Sequence, residues 1–100
     1  MYATVRRYRT KGSVSQVIHR VEHDFVPQVK RIPGLISYTV VEIGEALTTF
    51  SVFADRDSAE ESNRISALWV NQHLADLVEL PAQVATGEVL VHEAPVAVVR

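Results

Sequence analysis

The sequence contains no cysteine, which excludes disulfides, thiolate metal sites and a cysteine nucleophile. It has no apolar run near the ~18 residues that a membrane-spanning helix needs. Residues 1–9 mix tyrosine with arginine and lack the apolar segment of a secretory signal, so we expect a cytoplasmic protein. The formal net charge of −2 is not the basic excess on which nucleic-acid affinity depends. We therefore expect a single small domain that binds neither nucleic acid nor membrane.

The charge that is present is distributed unevenly along the chain. Residues 1–31 hold seven basic residues against two acidic ones, whereas residues 32–99 hold ten acidic residues against two basic ones. Such a polarity can steer an anionic ligand or a second copy of the chain towards the protein. In a single small domain the same distribution also arises without any function.

The first third of the chain predicts a strand followed by a helix. Residues 2–9 are rich in β-branched and aromatic side chains, which favour a strand. Ser13 and Gln16 have the spacing of a capping box, and apolar residues then recur at helical spacing as far as Val29. Pro27 removes one backbone amide, so we expect the helix to kink or end nearby.

The rest of the chain predicts a β-hairpin, a second helix and a last strand. Residues 35–43 and 47–54 form the hairpin, and both strands carry apolar residues on both faces. A second capping box at Ser58 begins the helix, whose two halves present differently oriented apolar stripes. Because a straight helix cannot bury both stripes against one sheet, we expect a bend near residues 69–71. The last strand is predicted over residues 84–93.

The order of elements is βαββαβ, which predicts an α+β fold with a ferredoxin-like antiparallel sheet and both helices on one face. Since the middle strands are apolar on both sides, we expect a second copy of the chain to cover the other face, as in a dimeric α/β barrel. We expect one domain over residues 1–93. The apolar tail, residues 94–100, is expected to join a sheet edge of its own subunit or of the partner.

Four segments carry a family resemblance that spans residues 2–93. They are FVPQV at residues 25–29, IPGLISY at 32–38, SVFADR at 51–56 and ALWV at 67–70. In these segments and in its order of elements the chain resembles the dimeric α/β-barrel superfamily, and within it the antibiotic biosynthesis monooxygenase (ABM)-like family. The resemblance implies a homodimer with a ligand cavity between helices and sheet in each subunit.

The resemblance also implies an activity, a cofactor-independent monooxygenase (an oxidoreductase) acting on a small aromatic or polyketide-like molecule. A substrate that forms a stabilised carbanion passes an electron to oxygen itself, so the protein has to bind it, deprotonate it and exclude water. We therefore expect no cofactor. Two alternatives stay open: a non-catalytic small-molecule-binding protein with the same cavity, and a haem-binding or haem-degrading relative.

The catalytic candidates lie on the second predicted helix. Asn63 and Trp69 correspond most nearly to an Asn and a Trp that line the cavity in enzymes of this family, and His73 is the candidate proton acceptor because imidazole titrates near neutral pH. Each has a simpler interpretation, since Trp69 is equally suited to anchor the core and His73 to form a hydrogen bond at the helix bend.

The ligand-binding candidates are Tyr38, Ser66 and Arg7. The Tyr38 hydroxyl, on a buried strand, needs a partner, which is either a ligand or a backbone carbonyl. Ser66 lies on the same side of its helix as Trp69. If the strand face that carries Arg7 is internal, its guanidinium can hold an anionic ligand.

The remaining histidines do not predict a metal site. His19 and His23 stand four residues apart, a spacing that can bind a metal ion, but both lie far from the apolar stripe of their helix and no third ligand is evident. We expect both to be exposed. His92, on the last predicted strand, is expected to face either the cavity or the dimer seam.

Overall fold

The computed structural model describes residues 1–95, which form a four-stranded antiparallel sheet with helices packed on one face. The elements are β1 (Tyr2–Arg9), α1 (Val14–Arg20), a π-helical segment (Val21–Phe25), α2 (Val26–Val29), β2 (Leu35–Ile43), β3 (Ala46–Phe53), α3 (Arg56–His73) and β4 (Gln83–Glu88). The strand order is β2-β3-β1-β4, and every neighbouring pair is antiparallel. This confirms the predicted ferredoxin-like α+β fold. No helix within residues 1–95 is both long and apolar enough to cross a membrane.

The first helix begins as predicted and changes its winding before Pro27. The Ser13 hydroxyl caps α1 by accepting a hydrogen bond from the Gln16 amide at 3.2 Å. The chain then forms the π-helical segment, in which the amide of Val26 donates to the carbonyl of Val21. Because Pro27 has no amide to donate to the preceding turn, a regular α-helix would lose a bond here. The helix is thus wider over Val21–Phe25, directly before Pro27, and continues as α2 to Val29.

The hairpin of β2 and β3 contains one irregularity that changes which side of the sheet a residue faces. Leu35 pairs with Phe53 and Ser37 pairs with Val52, so the register shifts by a bulge between Leu35 and Ser37. The strict alternation in the sequence places Leu35 and Ser37 on the same face. That prediction is wrong, because the bulge turns Leu35 to the helix-covered side, where it packs against the core.

The second long helix differs from its prediction at both ends. The Asp55 carboxylate caps α3 by accepting from the Ser58 amide at 2.8 Å, so the helix begins at Arg56 and not at the predicted capping box. The helix does not break near residues 69–71, where a bend or break was predicted, since α3 continues to His73. The second apolar stripe is buried by a different means, because Leu77 and Val78 lie beyond the helix in turns that fold back onto the core.

The last strand is shorter than predicted. It ends at Glu88, and residues 89–95 have no regular structure, although the Val89 amide donates to the Met1 carbonyl at 2.9 Å. Leu90 and Val91 are 85% and 79% exposed. Most of the predicted tail, residues 96–100, lies outside the described residues.

The two faces of the sheet have different environments. We call the helix-covered side the inner face; Thr4, Arg6 and Tyr8 of β1 lie on it and are buried. The opposite side, the outer face, carries Val5 and, in register with it, Phe50. The hydrophobic core lies between the inner face and the helices, with Phe53 fully buried.

Candidate functional site

A cavity lies within the core, between the inner face and the helices. Its volume is about 30 Å³ when counted as the space open to the centre of a water molecule, which is room for about two waters. Helices supply one wall and strands the other. The apolar part of the lining includes Val17, Val21, Val40, Leu47, Val70 and Leu74.

Three aromatic side chains from three different elements form one side of this cavity. The ring of Trp69 (α3) lies 5.1 Å from that of Phe25 (π-helical segment), and the ring of Phe25 lies 5.9 Å from that of Tyr38 (β2), both between centroids. All three residues line the cavity. Tilted rings at these separations are a favourable aromatic arrangement, and they offer apolar ring surfaces to an aromatic ligand.

The π-helical segment contributes directly to the site. Val21 and Phe25, its first and last residues, are buried and line the cavity. Both would be displaced around the helix if the winding were regular. Single π-helical turns recur at functional sites because they re-aim side chains in this way.

Among residues 1–95, Arg6 is the only charged side chain in the lining, and it is 7% exposed. Its Nε donates to the hydroxyl of Tyr8 at 2.6 Å, and one terminal nitrogen lies 3.4 Å from Oδ1 of Asn63. Within residues 1–95 it forms no salt bridge. The buried guanidinium therefore has only neutral partners.

Two phenols share the cavity with this cation. Burial raises the pKa of Tyr8, against the opposing effect of Arg6. Burial, with a contribution from Tyr8, also raises the pKa of Tyr38, and Arg6 opposes it only in part. Both hydroxyls therefore stay protonated at neutral pH and act as donors. The Tyr38 hydroxyl has no hydrogen-bond partner among residues 1–95, so the backbone carbonyl expected as one possible partner is not found there.

Asn63 holds Arg6 from outside the cavity. Its Oδ1 accepts from the Thr4 hydroxyl at 2.9 Å, and its Nδ2 donates to the Thr86 hydroxyl at 2.9 Å. Thr4, Arg6 and Thr86 lie on adjacent strands, so the Asn63 amide joins α3 to β1 and β4. This network restricts where the guanidinium can lie.

The structure brings together only some of the residues that the sequence predicts. Trp69, Ser66 and Tyr38 all line the cavity. Asn63 is one contact removed from it, through Arg6. His73 packs its ring 5.3 Å from that of Trp69 but is exposed and outside the lining, because it stands in the last turn of α3. In this position His73 does not face the cavity as the predicted proton acceptor must.

Arg7, a predicted ligand-binding residue, lies on the side of the sheet away from the cavity. It lies on the outer face, is exposed, and its terminal nitrogen lies 3.5 Å from Oε1 of Gln83. Side chains alternate along a strand, so burial of Tyr8 on the inner face places Arg6 inside and Arg7 outside. Sequence reasoning missed both Arg6 and Tyr8. The alternation in β1 separates Arg6 and Tyr8 from Arg7, but the sequence does not indicate which of the two faces is the inner one.

The other histidines lie away from the cavity. His19 and His23 are exposed as predicted, with ring centroids 4.2 Å apart. No group of three potential metal-ligating side chains occurs in the part of the chain that the structure describes. His92 is exposed in the irregular segment after β4, not on a strand.

Comparison with known proteins identifies the fold. No protein-family model matches the sequence, and no curated protein matches it. Among solved structures, a provisionally assigned antibiotic biosynthesis monooxygenase from Nitrosomonas europaea is 16% identical, with 91% of this chain and 100% of that chain covered and a TM-score of 0.72.

Two proteins from Streptomyces are similar to the same degree. SnoaB from Streptomyces nogalater, a cofactor-independent oxygenase, is 15% identical, with 91% and 94% of the two chains covered and a TM-score of 0.71. A monooxygenase from the gene ActVA-Orf6 of Streptomyces coelicolor, in complex with nanaomycin D, is 11% identical, with 94% and 91% covered and a TM-score of 0.73. The chain thus has the fold of ABM-like proteins, which confirms the predicted resemblance at the level of the fold.

Proposed function

We propose that this chain, on the fold that it shares with ABM-like proteins, binds a small aromatic molecule in the cavity beside Trp69 and oxygenates it without a cofactor. The observation that carries the proposal is the composition of the lining. An aromatic wall and aliphatic side chains surround one buried guanidinium and two protonated phenols. The similarity to SnoaB and to the ActVA-Orf6 monooxygenase supports the choice of reaction class.

The lining suits such a reaction because the substrate supplies the reducing electrons. The carbanion form of an electron-rich ring gives one electron to O₂, and the two radicals combine in a carbon–oxygen bond to give a peroxide anion, which takes up a proton from solvent to form a hydroperoxide. The hydroperoxide then loses water to leave a carbonyl, so one oxygen atom enters the product and the other leaves as water. The protein stacks the ring against Phe25 and Trp69, donates hydrogen bonds to the ring oxygens from Tyr38, and excludes bulk water.

The size of the cavity sets one requirement. About 30 Å³ is less than an aromatic ring occupies, so a ligand has to displace side chains of the wall. Val21 and Phe25 are the wall residues with the least regular helical backbone behind them. We place the movement there, because α3 and the strands are held by continuous backbone hydrogen bonds.

A non-catalytic binding protein is the second candidate, and one observation favours it. The titratable groups of the lining are Arg6, Tyr8 and Tyr38, none of which accepts a proton near neutral pH. An enzyme that must deprotonate its substrate needs such a group. The lining offers no comparable support to the haem alternative, since His73 lies outside it.

Oxygen consumption separates the two candidates. Anthrone-like hydroquinones are supplied to the protein in an oxygen electrode, and the rate above the spontaneous oxidation is measured. We expect catalysed uptake that Tyr38→Phe reduces about a hundredfold, the order expected when one hydrogen bond to developing charge is lost. Tyr2→Phe, at the start of β1 and outside the cavity lining, is the matched control. If oxygen uptake stays at the spontaneous rate while the hydroquinone still binds, the proposal of an enzyme is wrong and the non-catalytic binding function remains.

We also propose that a second copy of the chain covers the outer face. Val41, Ile43 and Phe50 on that face are 37%, 55% and 40% exposed. Aliphatic and aromatic side chains adjacent on a sheet in this way form an apolar patch, which in water favours pairing with a matching surface. A two-fold pairing of outer faces would bury all three residues.

A further inference from the structure

The burial of Arg6 requires an explanation that the protein itself does not provide. Moving a charge out of water is costly unless the charge is paired, and buried arginines are accordingly found beside carboxylates. Arg6 has the Tyr8 hydroxyl and the Asn63 amide as partners, and no carboxylate among residues 1–95 forms an ion pair with it. A buried cation without an ionic partner favours the binding of an anionic ligand.

The surroundings of Arg6 contain no competing acid. Among residues 1–95 the cavity lining has no aspartate, glutamate or histidine. The acidic residues of the neighbouring strands and of α3 are all exposed: Glu42, Asp57, Glu60, Glu61 and Glu88. His73 packs against Trp69 outside the lining. The electrostatic potential in the cavity is therefore set by the guanidinium, and it favours an anion over a neutral molecule.

The hydrogen bonds already formed leave donors free at the same place. Tyr8 accepts from Arg6, so its own proton remains available, and the Tyr38 hydroxyl has no partner among residues 1–95. Tyr8, Tyr38 and Arg6 all line the cavity. Donors that line one cavity and lack a carboxylate partner among residues 1–95 are suited to stabilise an oxyanion.

Arg6 is also reachable from a second direction. An open groove on the other side of it is lined by Ala67, Asn71, Leu80, Pro81 and Val84, and shares Arg6 and Val70 with the cavity. Its volume, about 420 Å³ by the same measure as the cavity, is large enough for a small ligand. The guanidinium thus stands between the groove and the cavity, where an entering anion meets it first.

We propose that the ligand of this cavity binds as an anion, an ionised phenol, enol or hydroxyquinone, whose oxygen is held by Arg6 with Tyr8 and Tyr38. This inference rests on the proposed function for the aromatic part of the ligand. The proton of the ligand leaves to solvent, because no group in the lining accepts it. Ligands whose hydroxyl is acidic enough to ionise near neutral pH therefore fit, and simple alcohols and ketones do not.

The same arrangement removes the need for a base in the oxygenation. A substrate that arrives ionised already carries the electron density that O₂ accepts. Arg6 then acts as a specificity-determining residue, since it selects the ionised form.

The test uses para-nitrophenol, whose phenolate absorbs in the visible range, with para-nitroanisole as the neutral ligand of the same shape. We expect the apparent pKa of bound para-nitrophenol to fall by about one unit, which corresponds to a tenfold preference for the phenolate. Arg6→Met should abolish this preference and leave para-nitroanisole binding unchanged or tighter. Arg6→Lys should restore part of the shift, and Arg7→Met, the neighbour on the outer face, should behave as the parent protein does.

Each outcome has a distinct meaning. A bound pKa equal to or above that of free para-nitrophenol, with both ligands binding, overturns the anion inference and leaves the aromatic-binding function intact. Failure of both ligands to bind overturns both proposals. An unchanged pKa shift in Arg6→Met overturns the role of Arg6, and circular dichroism of the variants in the aromatic region establishes that the surroundings of Trp69 are retained. Anion binding without oxygen uptake supports the inference together with the non-catalytic function.

Discussion

Arg6 donates a hydrogen bond of 2.6 Å from Nε to the hydroxyl of Tyr8, two residues further along the same strand. Both side chains lie on the inner face, because alternate residues of a strand point to the same side. The contact is buried and joins a cation to a neutral phenol. β1 thus supplies the charged group of the cavity and one of its two phenols, whereas Phe25 and Trp69 come from the helical elements and Tyr38 from β2.

Replacing Arg6 by methionine should not destabilise the protein. The substitution removes a buried charge that has no ionic partner, and this offsets the two lost hydrogen bonds. We expect a free energy of unfolding in urea within about 1 kcal/mol of the parent value, or above it. The exposed Arg7→Met is the control. A loss of more than about 2 kcal/mol in Arg6→Met would show that the guanidinium is mainly structural.

Replacing Trp69 by alanine should be costly. Trp69 is 4% exposed and packs against Phe25, so the change leaves a large cavity and removes the aromatic wall. We expect a loss of about 3–5 kcal/mol in the free energy of unfolding, and weaker binding of aromatic ligands in Trp69→Phe, which keeps the fold. Leu68→Ala, on the exposed side of the same helix, should change stability by less than about 0.5 kcal/mol. Equal effects at the two positions would contradict this packing.

The cap of α3 should make stability depend on acid pH. The hydrogen bond from the Ser58 amide lowers the pKa of the Asp55 carboxyl. The folded-state pKa lies below the unfolded one. The ionised Asp55 cap therefore stabilises the fold above the usual aspartate pKa, and this contribution is lost as the pH falls through the lowered value. Asp55→Asn should keep the cap and flatten the dependence of Tm on pH in that acid range. Asp57→Asn is the control, and an Asp55→Asn profile identical to the parent profile would exclude this origin.

The turn between β2 and β3 should require glycine at one position. Gly44 has φ of +61°, a conformation that a side chain disfavours, although nothing lies within 4 Å of an added Cβ. Gly44→Ala should therefore cost about 1 kcal/mol through backbone strain alone. Gly87→Ala, in β4 with equally open surroundings, lacks the positive φ and should not destabilise. Denaturant unfolding of both variants checks the difference, which would be absent if the turn could relax.

Covering of the outer face by a second copy should be sensitive to charge at its centre. We expect sedimentation velocity at micromolar concentration to give a dimer, and Phe50→Lys to shift it to monomer because a buried lysine without a partner is unfavourable. Leu68→Lys, on an exposed helix surface, should remain dimeric. A compact parent monomer at this concentration would refute the pairing.

Much of the local structure follows from the sequence because its causes are local. The Ser13 cap and the alternation along β1 depend on neighbouring residues, and both are found as predicted. The βαββαβ order then leaves few compact arrangements, and the observed sheet is one of them. Trp69, Ser66 and Tyr38 could be predicted as cavity residues because apolar periodicity marks the side of an element that faces the core.

Features that depend on contacts between residues distant in the sequence are determined only in the tertiary structure. The alternation in β1 places Arg6 and Arg7 on opposite faces of the sheet, but it does not indicate which face the helices cover. The position of the helices determines which arginine is buried. The bulge beside Leu35 and the end of α3 at His73 likewise arise where one element adjusts to another. A sequence pattern specifies periodicity, whereas the phase of that periodicity relative to the core is fixed only when the layers pack.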